Sequence, residues 1–130
     1  MRTLTRALVM VVVGTLIAGG ALAQFAKPED AIKYRKSVMV LIAQHFKSMG
    51  AVVQGKSEFA REYFASDAET VKHLATLPWK AFMEPGTDKG DTTMSSAVFD
   101  KKDEFMKAAE AFQTNTAYLA EAAQGADLNG

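Results

Sequence analysis

The chain has 130 residues, with 15 lysines and arginines against 15 aspartates and glutamates, 48% hydrophobic residues and no cysteine. One small domain fits this length and a second core does not. The missing cysteine excludes disulfides and thiolate-held metal centres, and without a basic face or interleaved aromatics no nucleic-acid partner is expected.

The first segment has the layout of an export signal. Arg2 and Arg6 form a basic start, Ala7 to Ala18 is almost wholly apolar, and Ala21-Leu22-Ala23 places small residues where a signal peptidase reads. Cleavage is expected after Ala23, making 1–23 the leader and 24–130 the mature domain. An uncleaved anchor is the rival reading, because no charge occurs from Ala7 to Ala26. After cleavage no membrane partner is expected.

Pro28 followed by Glu29 and Asp30 marks a helix start, since proline suits the first helical position and acids suit the positive end of the helix dipole. Ile32, Met39, Ile42, Phe46, Met49 and Val53 then recur at helical spacing, which predicts a first helix over about 28–49 with Val53 as its outer limit. A parallel stripe of Ala31, Tyr34, Val38, Leu41 and His45 is also mostly apolar. A helix apolar over so wide an arc is buried on two sides, one in its own bundle and one against a second copy.

A second helix is predicted over about 57–77, with Phe59, Tyr63, Phe64, Val71, Leu74 and Leu77 as its stripe and Pro78 as its stop. Residues 78–96 read as a long loop, rich in Pro, Gly, Thr, Ser and Asp, in which Trp79 and Phe82 fold back over something apolar. A third helix is predicted over about 96–123, with Val98, Phe105, Ala109, Phe112, Leu119 and Ala123 on one face and Gly125 after it. Asp127 is placed to cap a further helix. No period-two alternation and no internal repeat is evident, so the fold class is all-α, an antiparallel bundle with three full helices.

Arg35 breaks the pattern, because it sits on the first helix's seam between Ile32 and Met39. Burying a charge unpaired is strongly disfavoured. Two accounts stand: the guanidinium reaches water along its own stem, or it meets an anion lodged between the helices, which its planar fork suits. His45 and His73 are a weak metal signal on different helices and read as exposed; Met39 and Met49 read as core packing. No nucleophile with an adjacent base, no phosphate loop and no catalytic carboxylate pair can be assembled, so an enzyme is not expected.

Phe25-Ala26-Lys27-Pro28-Glu29-Asp30-Ala31-Ile32-Lys33-Tyr34-Arg35-Lys36 resembles the mature start of cytochromes c′. So do Leu77-Pro78-Trp79 with a loop holding Gly86, Thr87, Gly90 and Asp91, and the stretch Ala111-Phe112-Gln113-Thr114-Asn115. The resemblance implies a periplasmic four-helix bundle with haem c inside. It implies a homodimer packed through the first and second helices, small redox partners, and electron transfer or binding of NO and CO at the iron. Carried over by position, Arg35 and Lys36 match residues near the haem propionates, Met39 the residue over the open face of the iron, and Asp91 a loop residue bordering the haem.

The family's last helix carries Cys-x-x-Cys-His, which attaches the haem and ligates its iron; this chain has no cysteine. The fourth helix is therefore expected to be missing, through a truncated record, a frameshift or real loss. The alternative function is a haem-less helical remnant with a structural or interaction role. Noncovalent haem with Met39 as ligand is a third reading.

Overall fold

The computed structural model describes residues 24–126. The leader, its cleavage after Ala23 and the Asp127 cap lie outside them. Within them the chain forms α1 (Pro28–Val53), α2 (Arg61–Leu74), α3 (Trp79–Met83), α4 (Ala97–Asp100) and α5 (Lys102–Gln124), with no strand.

α1 begins as its sequence dictates, with Pro28 at the start and Glu29 and Asp30 in the first turn. It runs past 49 to the outer limit read from sequence, Val53, stopping where Gln54 bonds back to Gly50 O and Gly55 takes φ 70°.

α2 is shorter than predicted at both ends. Ala60 is extended, with φ −126° and ψ 112°, and Phe59 turns back onto Phe64 with ring centroids 5.9 Å apart. At the other end Thr76 and Leu77 bond to His73 O and Leu74 O, three residues back, which tightens the chain into a turn. Pro78 does more than stop a helix, because it is the entry residue of α3 inside the segment read as loop. The predicted third helix breaks at Lys101, whose φ −117° and ψ 43° separate α4 from α5.

α2 is the central element, packed against α1 on one side and α5 on the other, while α1 also packs on α3. The core shows the directions. Met49 near the end of α1, Ala65, Ala68 and Val71 of α2, and Ala120 and Ala123 near the end of α5 form one cluster, flanked by Phe64 and Leu119. Early α2 thus meets late α1 and late α5, so both pairs are antiparallel. Four alanines at this junction let the helices approach closely, and Val71 is fully buried there.

The inward face of α1 falls between the two stripes read from sequence. Ala31, Ile32, Arg35, Val38, Ile42 and Met49 are buried. Met39, Phe46 and Val53, expected on the seam, are exposed, and so is Leu41 of the parallel stripe. On α2, Tyr63 is 79% exposed, a further departure from its stripe. A helix this apolar offers several faces to burial, and only its neighbours choose one.

Candidate functional site

At the far end of the bundle from the alanine junction, α1, α3 and the following loop build a polar and aromatic site. Arg35 is 2% exposed. Nη1 donates to Ala81 O at 3.4 Å, and Nη2 donates to Thr87 O at 2.6 Å and Thr92 Oγ1 at 2.7 Å. Its guanidinium carbon lies 4.7 Å from the centre of the Phe82 ring, in cation–π range.

Of the two sequence accounts of Arg35, the one that takes its guanidinium to water needs correction. It does not reach along its stem to water, and no carboxylate among the described residues pairs with it. A cage of carbonyl, hydroxyl and π-face satisfies it instead. Burial lowers its pKa, but a guanidinium starts so high that it stays charged. Three of its five N–H groups are used by the cage.

Lys36, the next residue, reaches outward. Its Nζ donates to Asp91 Oδ2 at 2.8 Å and Asp91 O at 3.1 Å, in an exposed pair. The hydrogen bond and the charge of Lys36 hold the Asp91 carboxyl below the usual carboxylate range. Arg35, Lys36, Met39 and Asp91 all line one groove of about 490 Å³, together with Phe82, Thr92 and Met94.

Behind the groove runs a continuous aromatic lattice. Trp79 has ring centroids 6.1 Å from Phe82, 6.0 Å from Phe105 and 5.9 Å from Phe112. Phe82 and Phe105 lie 5.2 Å apart, and Phe46 of α1 reaches Phe112 of α5 at 6.2 Å. The Trp79 indole N–H donates to Ala75 O, which fixes the ring at the start of α3. Trp79 and Phe82 thus fold back as expected, and what they fold onto is Phe105 and Phe112.

The histidines sit elsewhere. His45 Nδ1 lies 2.7 Å from Asp67 Oδ1, and this half-buried link between α1 and α2 corrects its reading as an exposed residue. His73 is exposed on α2, with Nε2 3.2 Å from Glu69 Oε1. Among the described residues no three His, Asp or Glu side chains converge as a metal site, and no helix is long and apolar enough to cross a membrane.

Sequence reasoning gave no role to Thr87, fully buried with its hydroxyl donating to Glu84 O at 2.7 Å, or to Thr92, whose hydroxyl accepts from both Arg35 and the Met94 N–H. The buried arginine announced that acceptors were needed. Nothing local announced which.

Comparison with known proteins points to one family. The family model described as cytochrome C′ matches residues 30–130. A cytochrome c′ of Alcaligenes xylosoxydans xylosoxydans is 41% identical over 106 residues, covering 82% of this chain and 81% of the relative. The solved structure of cytochrome c prime from Shewanella frigidimarina has a TM-score of 0.77 and 40% identity, covering 81% of each chain. A variant of the Alcaligenes xylosoxidans protein complexed with nitric oxide has a TM-score of 0.72 and 40% identity, covering 82% of each chain.

Proposed function

This chain belongs to the cytochrome c′ family, and from that premise we propose that its groove is built to hold a haem serving electron transfer and small-gas binding, without being an enzyme. One observation carries the reading: Arg35, a buried cation with no carboxylate partner among the described residues, lies in the wall of an otherwise largely apolar groove.

The residues fit part of the group. Arg35 has two N–H donors beyond its cage for a propionate, and Lys36 is a second cation at the rim. Phe82 and Met39 offer apolar walls to a flat macrocycle, and Asp91 borders it from the loop. They do not fit the family's covalent attachment, because the chain has no thiol and His45 and His73 are held by Asp67 and Glu69 outside the groove. When bound, the haem supplies a redox-active iron able to take a gas ligand. This chain's own residues supply the anion site, the apolar wall and the shielding from water. The nitric oxide held by the Alcaligenes xylosoxidans relative supports that gas as the ligand class.

Covalent attachment requires a Cys-x-x-Cys-His segment that these 130 residues do not include. The second reading, a haem-less remnant, is favoured by the same missing thiols. Titrating the full chain with ferric protoporphyrin IX separates the two. Saturable quenching of Trp79, the chain's one tryptophan, at one porphyrin per chain is expected. No saturable quenching leaves the remnant reading. Haem stain is expected to vanish on denaturing electrophoresis, since no thioether can form.

We also infer export to the periplasm with a mature start at Gln24, checked by intact mass. Pairing of two copies through α1 and α2 completes the proposal. Val40, 66% exposed, and Leu41 line an apolar groove of about 710 Å³ on α1, and Tyr63 is exposed on α2. Sedimentation of wild type against Leu41→Lys checks it, a dimer becoming a monomer.

A further inference from the structure

The loop between α3 and α4 carries Asp91, Thr92 and Met94 to the groove, yet little of its own bonding explains its place. Its internal backbone hydrogen bonds are local, Lys89 N–H to Gly86 O at 3.4 Å and Thr92 N–H to Gly90 O at 2.9 Å. Gly86 and Gly90 take φ of 79° and 90°, which shapes the turns without saying where they dock.

Two side chains of α1 tie the loop down. The Lys36–Asp91 pair is exposed, and exposed pairs of this kind hold weakly. Arg35 is different: it is buried, it spans 52 residues of sequence to Thr87 O and 57 to Thr92 Oγ1, and it bonds α3 through Ala81 O as well. The Thr92 hydroxyl passes the connection on by accepting the Met94 N–H at 3.1 Å.

We propose that Arg35 is a positioning residue, which from α1 pins the loop so that Asp91, Thr92 and Met94 stand at the groove before any ligand arrives. The importance of the groove rests on the haem reading; the pinning does not. Arg35 therefore has two tasks, holding the loop with the N–H groups already used and meeting a carboxylate with the remaining two.

The experiment uses the full chain without porphyrin and reads two signals. One is amide exchange at Lys89 and Thr92, whose acceptors Gly86 O and Gly90 O no substitution touches. The other is NMR titration of the Asp91 carboxyl, which Lys36 depresses only while the loop is in place. Thr92→Val is close to isosteric and removes the acceptor. It is expected to speed both amides roughly 10- to 100-fold, the equilibrium worth of one hydrogen bond to a charged group. It is also expected to return Asp91 toward its ordinary range, although Lys36 and Asp91 remain. Arg35→Met moves both signals further in the same direction, and Thr92→Ser restores them. If Arg35→Met fails to fold, the threonine pair decides.

Unchanged amides and unchanged Asp91 titration in Thr92→Val overturn the pinning. So does equal acceleration of the Val71 amide in α2, which marks general destabilisation. A wild-type chain with a protected loop that takes no porphyrin overturns the haem reading alone.

Discussion

The two ends of this bundle are held together by different physics. At one end Ala65, Ala68 and Val71 meet Ala120, Ala123 and Met49 in a junction of small apolar side chains. At the other, a buried guanidinium, two threonines and a lattice of aromatic rings join α1, α3, α5 and the loop. The alanine junction is non-directional and tolerates no added volume. The site end is directional, so each donor and acceptor there has one best partner. Stability comes from both ends, while a binding surface comes from the second, because directed polar groups can address a ligand and a closed apolar junction cannot.

The largest effect is expected at the aromatic lattice. Trp79→Ala removes contacts to Phe82, Phe105 and Phe112 together with the bond to Ala75 O. Because Trp79 is only half-buried, its loss falls at the lower end of the roughly 3–5 kcal/mol typical of buried aromatic truncation. Urea unfolding followed by circular dichroism measures it; a negligible loss would break the comparison by leaving the alanine junction as the sole source of stability.

Next comes the junction itself. Ala68 is fully buried against its neighbours. Ala68→Leu should cost about 1–3 kcal/mol through overpacking. The expected sign of its mechanism is a lower midpoint at an unchanged denaturant slope, whereas Glu121→Ala on the exposed face of α5 should stay within about 0.5 kcal/mol of wild type.

Thr87→Val sharpens the contrast between directional and non-directional support. It keeps the shape and deletes the donor to Glu84 O. A loss of about 1 kcal/mol is expected in the same urea experiment, and no loss would mean that shape alone holds the loop.

The smallest effect belongs to the exposed Lys36–Asp91 pair. The folded carboxyl titrates below its unfolded value because Lys36 bonds and attracts it. A depressed folded pKa gives stabilisation present above the unfolded value, roughly 3.9, and lost as pH falls through the lower folded value. Asp91→Asn should therefore flatten the melting temperature against pH only on the acid side. An effect that persists at neutral pH in high salt would point to a role other than charge pairing.

The sequence by itself was enough for the helical class, the three long helical segments and the resemblance that led to the family. Helical period is a local property, written by hydrogen bonds four residues apart and by the spacing of Ile32, Ile42, Met49, Phe105 and Phe112. It also marked Arg35 as anomalous, and placed Arg35, Lys36, Met39 and Asp91 as residues to watch. Tertiary structure alone decided the inward face of α1, where Val38 turned in and Met39 and Phe46 turned out. It alone placed α3 inside the loop, broke the last helix at Lys101, tied His45 to Asp67, and gave Arg35 its cage. The reason is physical. Every residue carries a backbone carbonyl, so an acceptor at Ala81 or Thr87 leaves no mark in the sequence, and only the fold brings it within reach of an arginine some fifty positions away.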